Sequence, residues 1–226
     1  MKASVFSPEP CMICNVRACK NELPVCRKCI SRFASLFEEK CRVCGKTCFS
    51  CECGNEADAK FLFFYQSRLS KKIIYAIKYN ADRRLTDFIC ELMISKNNIK
   101  AGGFEAVAFV PRSKKGIKEA GYDQALMMAQ SLSMLLNIPV IKAIKRVGKT
   151  EQKLLSAKER RESIKNQYEV SSEFKNCEKK PYKKILLVDD VCTTGATLNA
   201  CASLLRKSVS KEVVLITAAA VCRKEK

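Results

Sequence analysis

The 226 residues contain no histidine. That absence removes Cys2His2 fingers, Cys–His nucleophiles, Ser–His–Asp triads and any histidine base. Long apolar runs are also missing. Ile185–Val188 and Val213–Ile216, with the alanines behind it, fall far below the ~18 residues that a membrane span needs, so no membrane insertion is expected. Residues 1–8 lack the apolar segment of a secretion signal. A hydrophobic share of 47% is ordinary for a globular chain and too high for a disordered one. The length is about 1.5 times a typical domain, which suits one core plus a smaller module. The expectation is a soluble cytoplasmic protein.

Acidic groups are in short supply. Lys and Arg number 42 against 23 Asp and Glu, leaving a net charge of +19. Residues 1–60 carry only +3 of it, and residues 61–226 carry +16. The stretch 142–184 holds fourteen basic and six acidic residues. A field of that sign attracts nucleic acid, anionic membrane or phosphorylated metabolites. A lysine-rich surface also serves solubility alone, so charge by itself names no ligand.

Cysteine, by contrast, is abundant. Ten of the fifteen lie between Cys11 and Cys53. Without an export signal such a cluster reads as metal ligands rather than a disulfide framework. Cys11/Cys14, Cys26/Cys29 and Cys41/Cys44 are C-x2-C knuckles, and Cys48, Cys51 and Cys53 close the region. Tetrahedral Zn2+ takes four thiolates, two from each knuckle. The spacing favours Cys11, Cys14, Cys26 and Cys29 for one site, and Cys41, Cys44, Cys51 and Cys53 for a second. Cys48 is the alternate ligand there, and Cys19 is left as a free thiol. A pairing of the first and third knuckles also fits the spacing. Four sulfurs leave no open position, so one or two structural zinc ions are expected. Residues 1–58, broken by prolines and glycines and short of apolar periodicity, should need that metal to fold.

From Phe61 onward the pattern is globular. Phe61–Tyr65 reads as an apolar strand joining the two modules. Leu69, Ile73, Ile74 and Ile77, then Leu85, Phe88, Ile89, Leu92 and Met93, fall at helical spacing. Strands are predicted over Phe104–Val110 (stopped by Pro111), Ile138–Ile141, Lys184–Val188 and Val213–Ala219, and helices over Ala120–Leu136 and Ala196–Lys207. Residues 146–168 are charged and helix-compatible without a strong apolar face. Alternating strands and helices predict an α/β domain over 61–226, a parallel sheet covered on both faces.

The densest chemistry is the string from Lys184 to Leu198. An apolar strand ends in Asp189 and Asp190, then Thr193, Thr194 and Gly195 lead into a helix carrying Ala196 and Thr197. Backbone N–H groups at a helix N-terminus, flanked by hydroxyls, cradle a phosphate, and Gly195 lets backbone approach closely. Phosphate repels carboxylates, so the two aspartates suit the vicinal hydroxyls of a sugar. A pentose 5-phosphate beyond the carboxyl end of a parallel strand satisfies both halves.

This string resembles the phosphoribosyl-pyrophosphate (PRPP) signature of type I phosphoribosyltransferases. With the cysteine-rich N-terminus, the whole chain resembles the ComF (ComFC-like) family of competence proteins, a double zinc ribbon fused to such a domain. Tyr65–Tyr79, Val110-Pro111 with Gly121-Tyr122-Asp123-Gln124, and Gln152 with Glu159-Arg160 are similar to further stretches of that family. Ser113 stands where the family often has histidine, Asp123 and Ser163 where it has asparagine.

The resemblance implies roles. Asp189 and Asp190 would hold the ribose hydroxyls, and Thr193, Thr194, Gly195, Ala196 and Thr197 the 5′-phosphate. The loop Arg112, Ser113, Lys114 and Lys115 would hold pyrophosphate, with Mg2+ between pyrophosphate and ribose oxygens. Within the flexible loop 146–168, Lys153 and Arg160 would reach pyrophosphate, in the same chain or across a homodimer. The family implies DNA uptake and natural transformation, with single-stranded DNA and uptake-machinery proteins such as a helicase as partners. Two functions follow: a PRPP-binding protein that handles incoming DNA, or an active phosphoribosyltransferase with an unknown acceptor. No general base stands out.

Overall fold

The computed structural model describes residues 10–16, 25–51, 53, 57–79, 83–148, 166–175 and 181–222. Its centre is a five-stranded sheet of β1 (Lys60–Phe64), β2 (Ala106–Phe109), β3 (Val140–Ile141), β6 (Tyr182–Cys192) and β7 (Ser210–Ala220). The order is β1-β7-β6-β2-β3, and every neighbouring pair is parallel. The parallel sheet expected from the alternation is therefore present. Side chains alternate across it as period two requires. On β6, Leu186 and Val188 face one apolar layer, while Ile185 and Leu187 face the other.

Helices α2 (Arg68–Tyr79), α3 (Arg83–Lys96) and α5 (Gln124–Leu136) cover the first face. The second is covered by α7 (Ala196–Ser208), α6 (Ser172–Lys175) and an antiparallel ribbon of β4 (Ile144–Arg146) and β5 (Tyr168–Val170). The charged stretch 146–168 thus begins and ends in that ribbon, where Val147 N–H donates to the Gln167 carbonyl at 2.8 Å. Lys153 and Arg160 lie outside the described residues, as does Cys19.

Two boundaries differ from expectation. The region 114–136 is two helices, α4 (Lys114–Ala120) and α5, rather than one helix from Ala120. Gly121 adopts φ +82° and ends α4, after which Asp123 caps α5 through Oδ1, accepting from Ala125 and Leu126 N–H at 3.1 and 3.2 Å. Glycine takes that left-handed conformation without steric cost, so it terminates α4. The strand through Lys184–Val188 also runs further, to Cys192, because its backbone stays paired with β7 as far as Cys192 opposite Ala220.

Among its described residues the cysteine-rich segment forms one helix, α1 (Arg27–Glu38), absent from the sequence reading. Cys29, Phe33 and Leu36 fall on one face and bury in the same layer as Leu62, Ile73 and Ile89. Phe33 meets Phe88 of α3 edge-on, with centroids 5.6 Å apart and planes at 83°.

Candidate functional site

The carboxyl end of β6 carries the predicted ligand residues. Because the strand continues through both aspartates, their side chains alternate like any neighbours on a strand. Asp190 is buried and turns to the α2/α5 face. Asp189 belongs to the opposite side, where its charge acts on Cys201 and Tyr168. Its Oδ1 accepts the Asp190 N–H at 2.8 Å. Burial and the adjacent Asp190 carboxylate push the Asp189 carboxyl well above the ordinary range, against that N–H and the Lys78 ammonium.

Past Cys192, Thr193 and Thr194 are exposed and Gly195 is buried. Gly195 sits at φ +69° and forms the N-cap of α7 without any side-chain cap bond. The Ala196 N–H has Thr194 Oγ1 only at 3.5 Å. A thirteen-residue helix thus starts at the sheet edge with its first donors lightly used. An anion is the natural occupant of such an end. Cys192 is buried.

A polar network behind Asp190 was not foreseen. Lys78, in the last turn of α2, places Nζ 3.0 Å from Asp190 Oδ2. Gln124, the first residue of α5, donates Nε2 to the same oxygen at 3.3 Å and accepts from Arg112 Nη1 at 2.7 Å. Arg112 also donates to the Lys78 carbonyl at 3.5 Å, and its guanidinium lies 5.8 Å from the Tyr79 ring centroid. Its backbone N–H donates to Asp123 Oδ2 at 2.9 Å. Burial works against the Lys78 ammonium, but the Asp190 charge and hydrogen bond outweigh it, so its pKa rises.

The predicted pyrophosphate loop is only partly a loop. Arg112 is bound into this network, and Ser113 Oγ accepts from Gly116 N–H at 3.0 Å as the N-cap of α4. Lys114 and Lys115 are exposed on the first turn of that helix, and Lys115 lies 3.8 Å from Glu119. A Cβ on Gly116 would fall 2.6 Å from Arg112 Nε, so the glycine lets the arginine lie against the helix. Further along the same sheet edge, a cavity of about 140 Å3 opens at the ends of β1 and β7. Arg42, Phe64, Tyr65, Gln66, Lys71, Ala220, Val221 and Cys222 line it.

Both predicted cysteine sets come together. The sulfurs of Cys11, Cys14, Cys26 and Cys29 lie within 4.8 Å of one another, as do those of Cys41, Cys44, Cys51 and Cys53. Cys14 and Cys26 are 3.8 Å apart and Cys44 and Cys51 3.6 Å. A tetrahedron with ~2.3 Å arms has edges of about 3.8 Å, so both sets fit zinc. The first and third knuckles are alike. Asn15 and Gly45 take positive φ, and their N–H groups return to the Cys11 and Cys41 carbonyls at 2.8 and 2.9 Å.

One thiol in each set is lowered, while burial and the neighbouring sulfurs raise Cys29 in the first set and Cys51 in the second. Burial opposes the Cys11 thiolate, but backbone N–H groups led by that of Cys26 bring its pKa down to about 7. Cys44 falls to about 7 chiefly through the Lys46 N–H. Cys48, the alternate ligand, is turned away. It donates to the Leu62 carbonyl at 3.5 Å, and burial pushes it up to about 11. Sequence reasoning missed a fifth sulfur, Cys222 beyond β7, which lies 3.8 Å from Cys51.

Residues 116–226 match the phosphoribosyl transferase domain family. Competence protein F of Haemophilus influenzae is 43% identical over 114 residues, which is 48% of this chain and 47% of that protein. The matched segment therefore spans about half the length of that relative. Competence protein ComFC of Streptococcus pneumoniae is 26% identical over 198 residues, 84% of each chain. The Bacillus subtilis ComFC is 24% identical over 213 residues, 88% of this chain and 85% of its own. Among solved structures, an allosteric regulatory enzyme of purine biosynthesis aligns with a TM-score of 0.42 and 14% identity, covering 65% of this chain and 30% of its own. Adenine phosphoribosyltransferase of Leishmania tarentolae gives 0.39 and 12%, covering 65% and 74%.

Proposed function

We propose that this chain, whose residues 116–226 match the phosphoribosyl transferase domain family and which is similar to competence proteins F and ComFC, binds PRPP and handles incoming single-stranded DNA during natural transformation, in the cytoplasm. The observation that carries the ligand is the lightly capped N-terminus of α7 at the end of β6, beside Asp189 and Asp190. The 5′-phosphate sits on the α7 donors, and the open carboxylate oxygens take the ribose hydroxyls. Mg2+ would enter with PRPP and would offset the charge of the pyrophosphate, beside Asp189 and Asp190. Lys114 and Lys115 serve the pyrophosphate, joined by Lys153 and Arg160, within one chain or across a homodimer. Residues 1–58 form a zinc module beside the 61–226 domain. The +16 charge of residues 61–226 supports a polyanionic partner such as single-stranded DNA, whose passage involves uptake-machinery proteins such as a helicase.

Calorimetric titration with PRPP and Mg2+ tests this reading. Binding is expected for the natural chain and lost in Asp190→Ala; a silent natural chain refutes it. The second reading, an active transferase, is favoured by the cavity beyond β1 and β7, which offers an acceptor a place on the same sheet edge. Sustained pyrophosphate release with PRPP, Mg2+ and DNA fragments decides for the transferase. Tight binding without release decides for a binding protein.

A further inference from the structure

Asp190 is held through one oxygen only. Oδ2 receives both the Lys78 ammonium and the Gln124 amide, while Oδ1 has no partner among the described residues. The carboxylate is thereby fixed in direction with one acceptor free. Lys78 itself is half committed: an ammonium has three donors, one faces Asp190, and the side chain keeps 31% of its surface exposed. Arg112 is brought close, since its guanidinium reaches both the Lys78 carbonyl and Gln124. The cluster therefore sets Lys78 and Arg112 beside Asp190, with the Asp123 carboxylate on the Arg112 backbone N–H and Asp189 next along the strand.

We propose that Lys78 is a specificity residue: it aims Asp190 at the sugar and offers its remaining N–H donors to the anionic group on the adjoining anomeric carbon. This rests on the sugar-phosphate reading above. A pentose phosphate bearing pyrophosphate gains both contacts, whereas one with a free anomeric hydroxyl gains only the first. Gln124 is the positioning partner that keeps Lys78, Arg112 and Asp190 in one arrangement.

The test compares PRPP with ribose 5-phosphate, each with Mg2+, on the natural chain and on Lys78→Met and Lys78→Arg, with circular dichroism to verify folding. One charge-assisted contact corresponds to a roughly 10- to 100-fold change in affinity. Lys78→Met is expected to shrink the preference for PRPP over ribose 5-phosphate by about that factor, and Lys78→Arg to retain most of it. If Lys78→Met weakens both ligands equally, the lysine only props Asp190 and the inference fails while PRPP binding stands. If the natural chain binds neither ligand, the sugar-phosphate reading fails and takes this inference with it.

Discussion

Replacing Phe33 by Ala tests whether the zinc module and the sheet share one core. Phe33 is 2% exposed and lies in the same buried layer as Leu62, Ile73 and Ile89. Its ring also meets Phe88 of α3 edge-on. A Phe→Ala change in a packed core costs about 3–5 kcal/mol, because the cavity is only partly refilled. At roughly 2–4 °C per kcal/mol for a protein of this size, the melting temperature should fall by roughly 6–20 °C. The assay follows far-UV circular dichroism and zinc release to a chromogenic chelator in one thermal scan. The two signals should move down together, since removing Phe33 opens a layer contributed by both parts of the chain. If zinc release moves and the dichroic transition stays within about 2 °C, the shared core is refuted and the module melts alone.

Native mass spectrometry should find two zinc ions in the natural protein and one in either Cys14→Ser or Cys44→Ser. Cys48→Ser should keep both, because its thiol faces Leu62 rather than the cluster; loss of an ion there would reverse the ligand assignment. Asp189 is held above its ordinary range by burial and by Asp190. Such a group stabilises the fold below its unfolded pKa, and that contribution is lost as pH rises through the folded value. Asp189→Asn, measured by urea unfolding without ligand, should therefore gain more stability at pH 8 than at pH 5. An equal gain at both would contradict the raised pKa.

Local signals placed most of the frame. Leu69, Ile73, Ile74 and Ile77 mark α2 by spacing alone, and four apolar residues before Asp189 mark the centre of β6. The zinc sets were legible because a C-x2-C turn is itself a local device. The strand's continuation past Val188 was not, because backbone pairing with β7 holds Asp189 and Asp190 whatever their side chains prefer. Phe33 and Leu36 were overlooked because a single short helix among ten cysteines offers little periodicity. Lys78 and Gln124 owe their importance to a partner 112 and 66 positions away in sequence, respectively. Such pairings are set by tertiary structure, and neither residue type announces them. Cys222 was invisible for the same reason, since it meets Cys51 across 171 positions.

That last contact bears on how the chain assembles during synthesis. Strand β1 pairs in the sheet with β7, which is translated more than a hundred residues later. The thiol beside Cys51 arrives later still. Until this closing strand has been made, the early segment can bring its cysteine sets together but cannot seat its edge, and contacts of such long range form slowly. The nascent protein therefore keeps an open flank along β1 until β7 pairs with it.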